Sequence, residues 1–554
     1  MSVLQRMFVP NESAAPSALV VGPPRRLRGN GTLWIATAFA LVLGLLWARY
    51  LSGVNADSAA QWAWADFAAK HPDSAYDLAW YGGIHPASYS LLTPYLMALI
   101  GVPAAAVAAS TVSTALLAVL VTRSSVHRPL PVALWGAFAL TCNVAAGRAT
   151  FALGCMFGLA ALVAARTAGG AATAGTARSL GWQRTAAVAA FSLLATASSP
   201  VAGLFVEVAA AAMLLTGRRR TGWALAVPPP LVVLFTTVLF PFDGVDPISV
   251  STVVICLLCS LAVALLGPAS WREVRIGAGV YGLGSVLTWV FDTPIGGNVQ
   301  RLALIFGGVL LLAALCARPK RSRRQLAALL VVFVASGFWT VKADIIGIPD
   351  RSPAGQGTAL IAELDRLHAD RARIEAVPML NHWESWGLVR AAELARGWNR
   401  QLDVQRNPFF YDHTLDPTNY HDWLRRWSVA YVALPTGPVD SGGVEEAALL
   451  RTAPPDYLQE VWRDDNWRLF RFTDAVPLAA APVTVERAGS AEVVLTVPTA
   501  GPVDVRIPWS PWLTAHGPAG ACLTRDGDWI RLTAPTPGTY RIGTGYSWPR
   551  GTPC

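Results

Sequence analysis

The chain has 554 residues, 53% hydrophobic and 14% charged, with 22 Trp and a mean hydropathy of +0.41. That composition belongs to a membrane protein and excludes a wholly soluble or disordered chain. The net charge of +9 does not point to nucleic acid, because most of the excess sits in short Arg clusters between apolar runs, where it orients helices.

Acidic residues divide the chain. Of 35 Asp and Glu, nine lie between Thr32 and Lys342 and 25 between Ala343 and Cys554, so an apolar part precedes a soluble one. Residues 1–31, polar and carrying Arg25, Arg26 and Arg28, read as a disordered cytoplasmic tail. The run Leu33 to Tyr50 is followed by no clear small-residue cleavage site and reads as a retained first helix. Residues 51–86 form a first outer loop holding "NADSAAQWAWADFAAKHPDSAYDLAWYGGIHP". The next stretch, Ala87 to Gly101, is apolar but short and contains Pro94, which suits a re-entrant or interfacial segment.

Apolar runs long enough to cross a bilayer follow near 104–122, 131–147, 150–166, 186–200, 201–216, 222–240, 250–267, 276–291, 301–316 and 325–342, giving eleven crossings with 32–50, or up to thirteen. From a cytoplasmic N-terminus this topology puts fifteen of the twenty basic residues in Thr32 to Lys342 on the inside. It leaves Asp57, Asp66, Asp73, Asp77, Asp243, Asp246 and Asp292 outside, together with the C-terminal part.

After Lys342 the segment "ADIIGIPDRSPAGQG" reads as a linker. "TALIAELDRLHADRA" has helical spacing, "RIEAVPML" and "VAYVALP" read as strands, and "YLQEVWRDDNWRLFRF" as a hairpin turning at Asp464 to Asn466. Residues 343–477 are therefore expected to form an extracytoplasmic α+β domain, and 478–554, with short alternating runs between Pro and Gly turns, a small β-sandwich. Five Cys lie in apolar runs as packing residues; Cys522 and Cys554 fall in the outer β-region and are expected to form a disulfide.

Chemistry concentrates at the outer boundary. Asp57, seven residues past the first helix, is placed to deprotonate a sugar hydroxyl or to hold a divalent cation such as Mg or Mn against a phosphate leaving group. Trp62 and Trp64 beside it are candidate substrate contacts, set against a plain reading of Trp62, Trp64 and Trp80 as interfacial anchors. Arg148 and Arg301 break the charge rule and call for a counter-charge: a lipid phosphate held by the guanidinium fork, or a loop carboxylate such as Asp292 for Arg301. In the soluble part "NHWESWG" sets His382 and Glu384 among Trp rings, a candidate acceptor platform whose plain alternative is core packing. No Walker loop, dinucleotide fingerprint or internal repeat is visible.

The arrangement resembles the GT-C superfamily, multi-helix glycosyltransferases that take a sugar from a polyprenyl-phosphate carrier on the outer face. Three stretches carry the likeness: Asp57 shortly after the first helix; "GIHPASYSLLTPYLMALIG", similar to the His-Pro-Pro stretch of lipid-A aminoarabinose and protein mannosyl transferases; and "CNVAAGRATFALG", similar to their Arg-bearing outer hairpin. The soluble part is similar to the extracytoplasmic region of bacterial membrane proteins of the YfhO type. The resemblance implies a polytopic helical domain over 32–342, Asp57 as catalytic base or metal-binding carboxylate, His85 shaping the donor site and Arg148 holding the carrier phosphate. Ser58 stands where many members have a second acid, and Ala87 where they have a second Pro. The expected partners are the lipid bilayer, a polyprenyl-phosphate-linked sugar and an envelope glycan or glycoprotein acceptor in a bacterial plasma membrane. Two other classes compete: a transporter or lipid flippase, and a non-catalytic envelope assembly protein that binds glycan.

Overall fold

The structure is a computed structural model that describes residues 26–53, 56–124, 126–166, 176–317, 322–348 and 357–554. Most of the expected N-terminal tail, and the linker beyond Ile348, lie outside the described residues. The protein is a polytopic helical membrane protein with a C-terminal α+β and β-rich part.

Helices α1 (Arg26–Tyr50), α2 (Ala56–Lys70), α3 (Thr93–Ile100), α4 (Val102–Thr122), α5 (Pro129–Ala145), α6 (Ala149–Arg166), α7 (Thr176–Ser198) and α8 (Pro200–Leu215) are followed by α9 (Arg219–Ala226), α10 (Pro228–Leu239), α11 (Val250–Leu266), α12 (Arg272–Val290), α13 (Gly308–Leu315) and α14 (Arg323–Val341). Among the described residues, six helical stretches suffice by length and composition to cross a membrane: 30–50, 102–122, 149–166, 219–239, 296–315 and 323–346. Apolar Ala, Leu and Val runs become helices because only a helix satisfies every backbone polar group within one segment. Prolines punctuate the starts: Pro129, Pro200 and Pro228 each sit in a first turn, where a missing N–H costs nothing. Pro228 also breaks the run expected at 222–240 into α9 and α10.

The loops sort to two ends. At one, His127 N–H donates to Cys316 O, and Arg218 reaches both Glu273 and Ala165 O. At the other, Leu91 and Leu92 meet Ala197 O, Asp246 meets the turn after α12, and the C-terminal part is seated. The segment 87–101 yields only α3, eight residues long, roughly 12 Å and too short for a hydrocarbon core of about 30 Å. Gly101, at φ +85, turns the chain from α3 into α4.

The soluble part contains α15 (Thr358–Arg366), α16 (Glu384–Gly387), α17 (Arg400–Arg406) and a five-stranded sheet of β1 (Arg373–Ala376), β2 (Glu393–Leu394), β3 (Val429–Pro435), β4 (Leu458–Arg463) and β5 (Trp467–Phe472), in the order β2-β1-β3-β5-β4. β1 runs parallel to both β2 and β3, while β3, β5 and β4 are antiparallel. The β4–β5 turn forms because the Asp464 carboxylate accepts from the N–H of Asn466 and Trp467. Seven strands follow: β6 (Thr484–Ala488), β7 (Glu492–Val497), β8 (Gly501–Val505), β9 (Leu513–His516), β10 (Cys522–Asp526), β11 (Trp529–Ala534) and β12 (Gly538–Thr544). They make a sheet β10-β11-β8 and a sheet β6-β7-β12-β9, both antiparallel. Alternate residues such as Val493, Leu495, Val505, Ile530 and Tyr540 fill one core. Cys522 and Cys554 are joined as a disulfide, as expected.

The first outer loop differs from expectation. Its first half is the fifteen-residue helix α2. Ala60, Ala63, Trp64 and Phe67 enter the core of the α+β part, whereas Trp62 and Ala65 pack against Trp47 and Met97 of the helical part. A helix buried on two faces has no single apolar stripe, so its period is hidden in the sequence. The second half ties in the β-rich end: Leu78 joins that core, and Ser74 bonds Thr544.

Candidate active site

Asp57 stands in the first turn of α2, where the positive helix end favours a carboxylate. Arg148 sits in the tight α5–α6 connection, and Gln61 of α2 fixes that connection by donating to Gly147 O and accepting from Ala149 N–H, 3.0 Å. Arg301 follows the 3-10 turn Gly296–Gln300 and precedes a π-helical turn, Ala303–Gly307. The turn holding Arg301 closes on Asp246, whose carboxylate accepts from Gly297 N–H at 3.0 Å. Gly296 is required there: at φ +43, a Cβ would lie 1.9 Å from Asp246 O. A second π-helical turn, Lys342–Ile346, carries Asp344. Such turns insert an extra residue and re-aim side chains, a frequent device at functional sites.

These elements bring four charges together. The Asp57 carboxylate lies 3.4 Å from Arg301 and 3.7 Å from Arg148, and Arg148 in turn donates to Asp344 at 2.7 Å. The Asp57 contacts exceed ordinary charge-assisted hydrogen-bond length, whereas the Asp344 contact does not. The Asp57 side chain keeps 27% exposure while that of Asp344 keeps none. Asp344 is therefore the fixed anchor of Arg148, and Asp57 the loosely held, solvent-reachable partner. Arg301 also lies over the Phe151 ring, 5.5 Å from its centroid. Several buried polar atoms here make no hydrogen bond to the described residues: Arg148 Nε, Asp344 Oδ2 and both side-chain amide atoms of Asn143, whose backbone carbonyl accepts from Arg148 N–H. Unfilled valences in a buried site fit a polar ligand or bound water.

Among the described residues no three His, Cys, Asp or Glu side chains are grouped to hold a metal ion. The donor set argues the same way: two guanidiniums facing Asp57 repel a divalent cation. The residues do not fit the expected Mg or Mn at Asp57.

The other expected site residues lie elsewhere. His85 stacks on Phe240 at 3.3 Å between ring centroids, bonds Tyr546 through Nε2 and accepts Ala87 N–H at Nδ1. Burial pushes its pKa down to about 3, so it is a neutral joint between the first loop and the β-rich end. Burial pushes the hydroxyl of Tyr89, four residues on, upward, with the Asp57 charge adding to the shift and Arg301 and Arg148 opposing it. Trp64 is 1% exposed and meets Trp80 edge-on at 5.4 Å, which makes it core and removes it from any sugar surface. Trp62 is half-buried against Trp383 and Trp386, 6.5 and 5.8 Å between centroids. His382 and Glu384 are each buried, and the His382 ring stacks on Trp398 at 3.4 Å. Burial opposes the His382 charge, but the carboxylates of Asp440, 3.8 Å away, and Glu384, 3.5 Å away, outweigh it and lift the pKa to about 9. Arg301 pairs with Asp57 and not with Asp292. A cavity of about 380 Å³ lies away from Asp57, between α2, α15, Trp386 and the β6–β7 turn; on its wall Asp66 pairs with both Lys70 and Arg390.

Sequence reading missed Asp344, which it left in the linker, and Gln61. The signal for Asp344 was a lone acid just past the end of an apolar run. It also missed a line of alternating charge from the site into the soluble part, where Asp246 pairs with Arg400 at 3.9 Å, Arg400 with Asp440 at 4.0 Å, and Asp440 with His382.

A family model described as "Domain of unknown function (DUF8823)" matches residues 480–554. No curated protein matches the chain by sequence. Among solved structures, the chain is similar to the Archaeoglobus fulgidus oligosaccharyltransferase tethered with an acceptor peptide, at 11% identity over 74% of this chain and 69% of that one, TM-score 0.46. It is similar to the arabinofuranosyltransferase AftD from Mycobacteria at 13% identity, over 94% of this chain and 61% of that one, TM-score 0.46. It is also similar to ArnT from Cupriavidus metallidurans bound to undecaprenyl phosphate at 12% identity, over 81% of this chain and 99% of that one, TM-score 0.42.

Proposed function

We propose that the protein is a GT-C-type glycosyltransferase of a bacterial plasma membrane, which moves a sugar from a polyprenyl-phosphate donor to a glycan, lipid or protein of the cell envelope. The N-terminus lies in the cytoplasm and the C-terminal part outside, on the strength of the Arg and Asp asymmetry. The observation that carries the reading is the meeting of Asp57 with Arg148 and Arg301, the latter 244 positions away in sequence, beside the ends of apolar helices.

In this reading the donor phosphate enters between Arg148 and Arg301 and displaces Asp57 from them. The guanidinium forks then hold the phosphate oxygens, while Asp344 keeps Arg148 in place. The freed Asp57 carboxylate takes the proton of the acceptor hydroxyl as its oxygen bonds the anomeric carbon from the opposite face. The bond from that carbon to the phosphate oxygen breaks, the electron pair leaves with the polyprenyl phosphate, and the two arginines neutralise it. The anomeric configuration inverts.

The flippase alternative requires ionisable groups at mid-helix; in α8 Glu207 Oε1 makes no hydrogen bond among the described residues. The non-catalytic alternative draws on the pairing of Asp57 with two arginines. Turnover of a polyprenyl-phosphate sugar by purified Asp57→Asn decides: a fall of roughly 10²–10⁴-fold with unchanged folding is expected for a lost base. Unchanged turnover removes Asp57 from the chemistry.

A further inference from the structure

The C-terminal tail after β12, residues 545–554, ends in a disulfide to β10 and is held at its last residues: Leu523 N–H donates to Thr552 O, Cys554 N–H to Leu523 O, and Thr552 N–H to Leu513 O. Trp548 projects from this pinned segment with 81% exposure. The Arg550 guanidinium lies between two indoles, 5.8 Å from the Trp548 ring and 5.7 Å from the Trp512 ring.

The position of the tail follows from its neighbours. Trp512 donates its indole N–H to Leu239 O, the last residue of α10, at 2.9 Å and stacks on Phe240. Tyr546 bonds Tyr95 of α3 at 3.3 Å. Both helices turn apolar side chains outward beside these contacts: Leu231, Leu234, Phe235 and Val238 on α10, and Leu99, 80% exposed, on α3. In a membrane protein such a surface is covered by lipid, so the tail lies where the lipid-facing belt ends and water begins. An exposed indole belongs at that level, its ring in the acyl boundary and its N–H among headgroups, and a neighbouring guanidinium matches a lipid phosphate in two places.

We propose that Trp548 and Arg550 form a membrane-interface anchor, with Trp548 seated in the lipid headgroup layer and Arg550 on a lipid phosphate, which holds the β-rich end down on the bilayer. The occupant is lipid, and the inference does not depend on glycosyl transfer. The test places a photoreactive benzoylphenylalanine at position 548 of the full chain, reconstituted in phosphatidylethanolamine–phosphatidylglycerol vesicles and irradiated. A control carries it at Arg463, an exposed residue on β4, the sheet edge opposite β2, which meets the first loop. Lipid adducts on the tail peptide, at least tenfold above those at 463 by mass spectrometry, are expected. Equal yields at the two positions, no lipid adduct at 548, or crosslinking from 548 to a second copy of the chain would overturn the anchor.

Discussion

Asp344 gives the sharpest energetic test of the charge cluster. Its side chain has no solvent exposure and lies 2.7 Å from Arg148 Nη1, while the next carboxylate, Asp57, is 3.7 Å from Arg148 Nε. At an effective dielectric of about 20 the 2.7 Å attraction is about 6 kcal/mol, part of which repays desolvation of the two ions. Asp344→Leu leaves Arg148 buried with only the longer contact, which places the cost at roughly 3–5 kcal/mol. Arg148→Met together with Asp344→Leu removes both charges and should recover most of that loss. Buried thiols of the helical part, Cys142, Cys155, Cys256 and Cys259, serve as reporters, since a thiol-reactive dye labels them only as the helices open. Thermal labelling in detergent should show Asp344→Leu opening well below the parent and the double variant between them. Strict additivity of the two single changes would refute the pair as the anchor of Arg148.

Arg301→Lys should fail to restore donor binding lost in Arg301→Gln, because a lysine supplies one point charge where the fork supplies two bonds; equal apparent KM for Lys and parent counts against phosphate recognition there. The His382 pair sets a pH dependence: a folded pKa of about 9 against an ordinary 6.5 gives stability that is complete below about pH 6.5 and lost as pH rises through 9, roughly 3 kcal/mol in all. Asp440→Asn should flatten that slope in urea titrations of the full chain, and a slope unchanged by the substitution assigns it to another group. Cys554→Ser opens a loop with a sequence separation of 32 and should cost the β-rich end roughly 3–4 kcal/mol, read as faster proteolysis within 480–554; parent-like resistance would show that the hydrogen bonds of the tail suffice.

Much of the fold was legible in order along the chain. The apolar runs became helices and the β4–β5 turn formed at Asp464, because each depends on composition or on neighbours a few residues apart, and Cys522 met Cys554 because they are the two cysteines of the β-rich end. Asp57, Arg148 and Arg301 were singled out as charges in costly places, since a rule about charge near lipid needs no partner to be known.

Their partners came only from packing. Asp344, 196 positions from Arg148, looked like the start of a linker until α14 ran on through a π-helical turn and carried it inward. Trp64 was read as a site residue from its place beside Asp57 and His85 from the resemblance of its stretch, yet α2 rotates Trp64 into the α+β core, and Phe240 and Tyr546 draw His85 to the β-rich end. The amino-acid sequence by itself determined which segments are apolar, where charge is scarce and which strands alternate, because these follow from the solvent each residue meets. The tertiary structure alone decided which scarce charges meet and which rings are covered, because contacts across hundreds of residues depend on how helices and sheets pack, which local period does not encode.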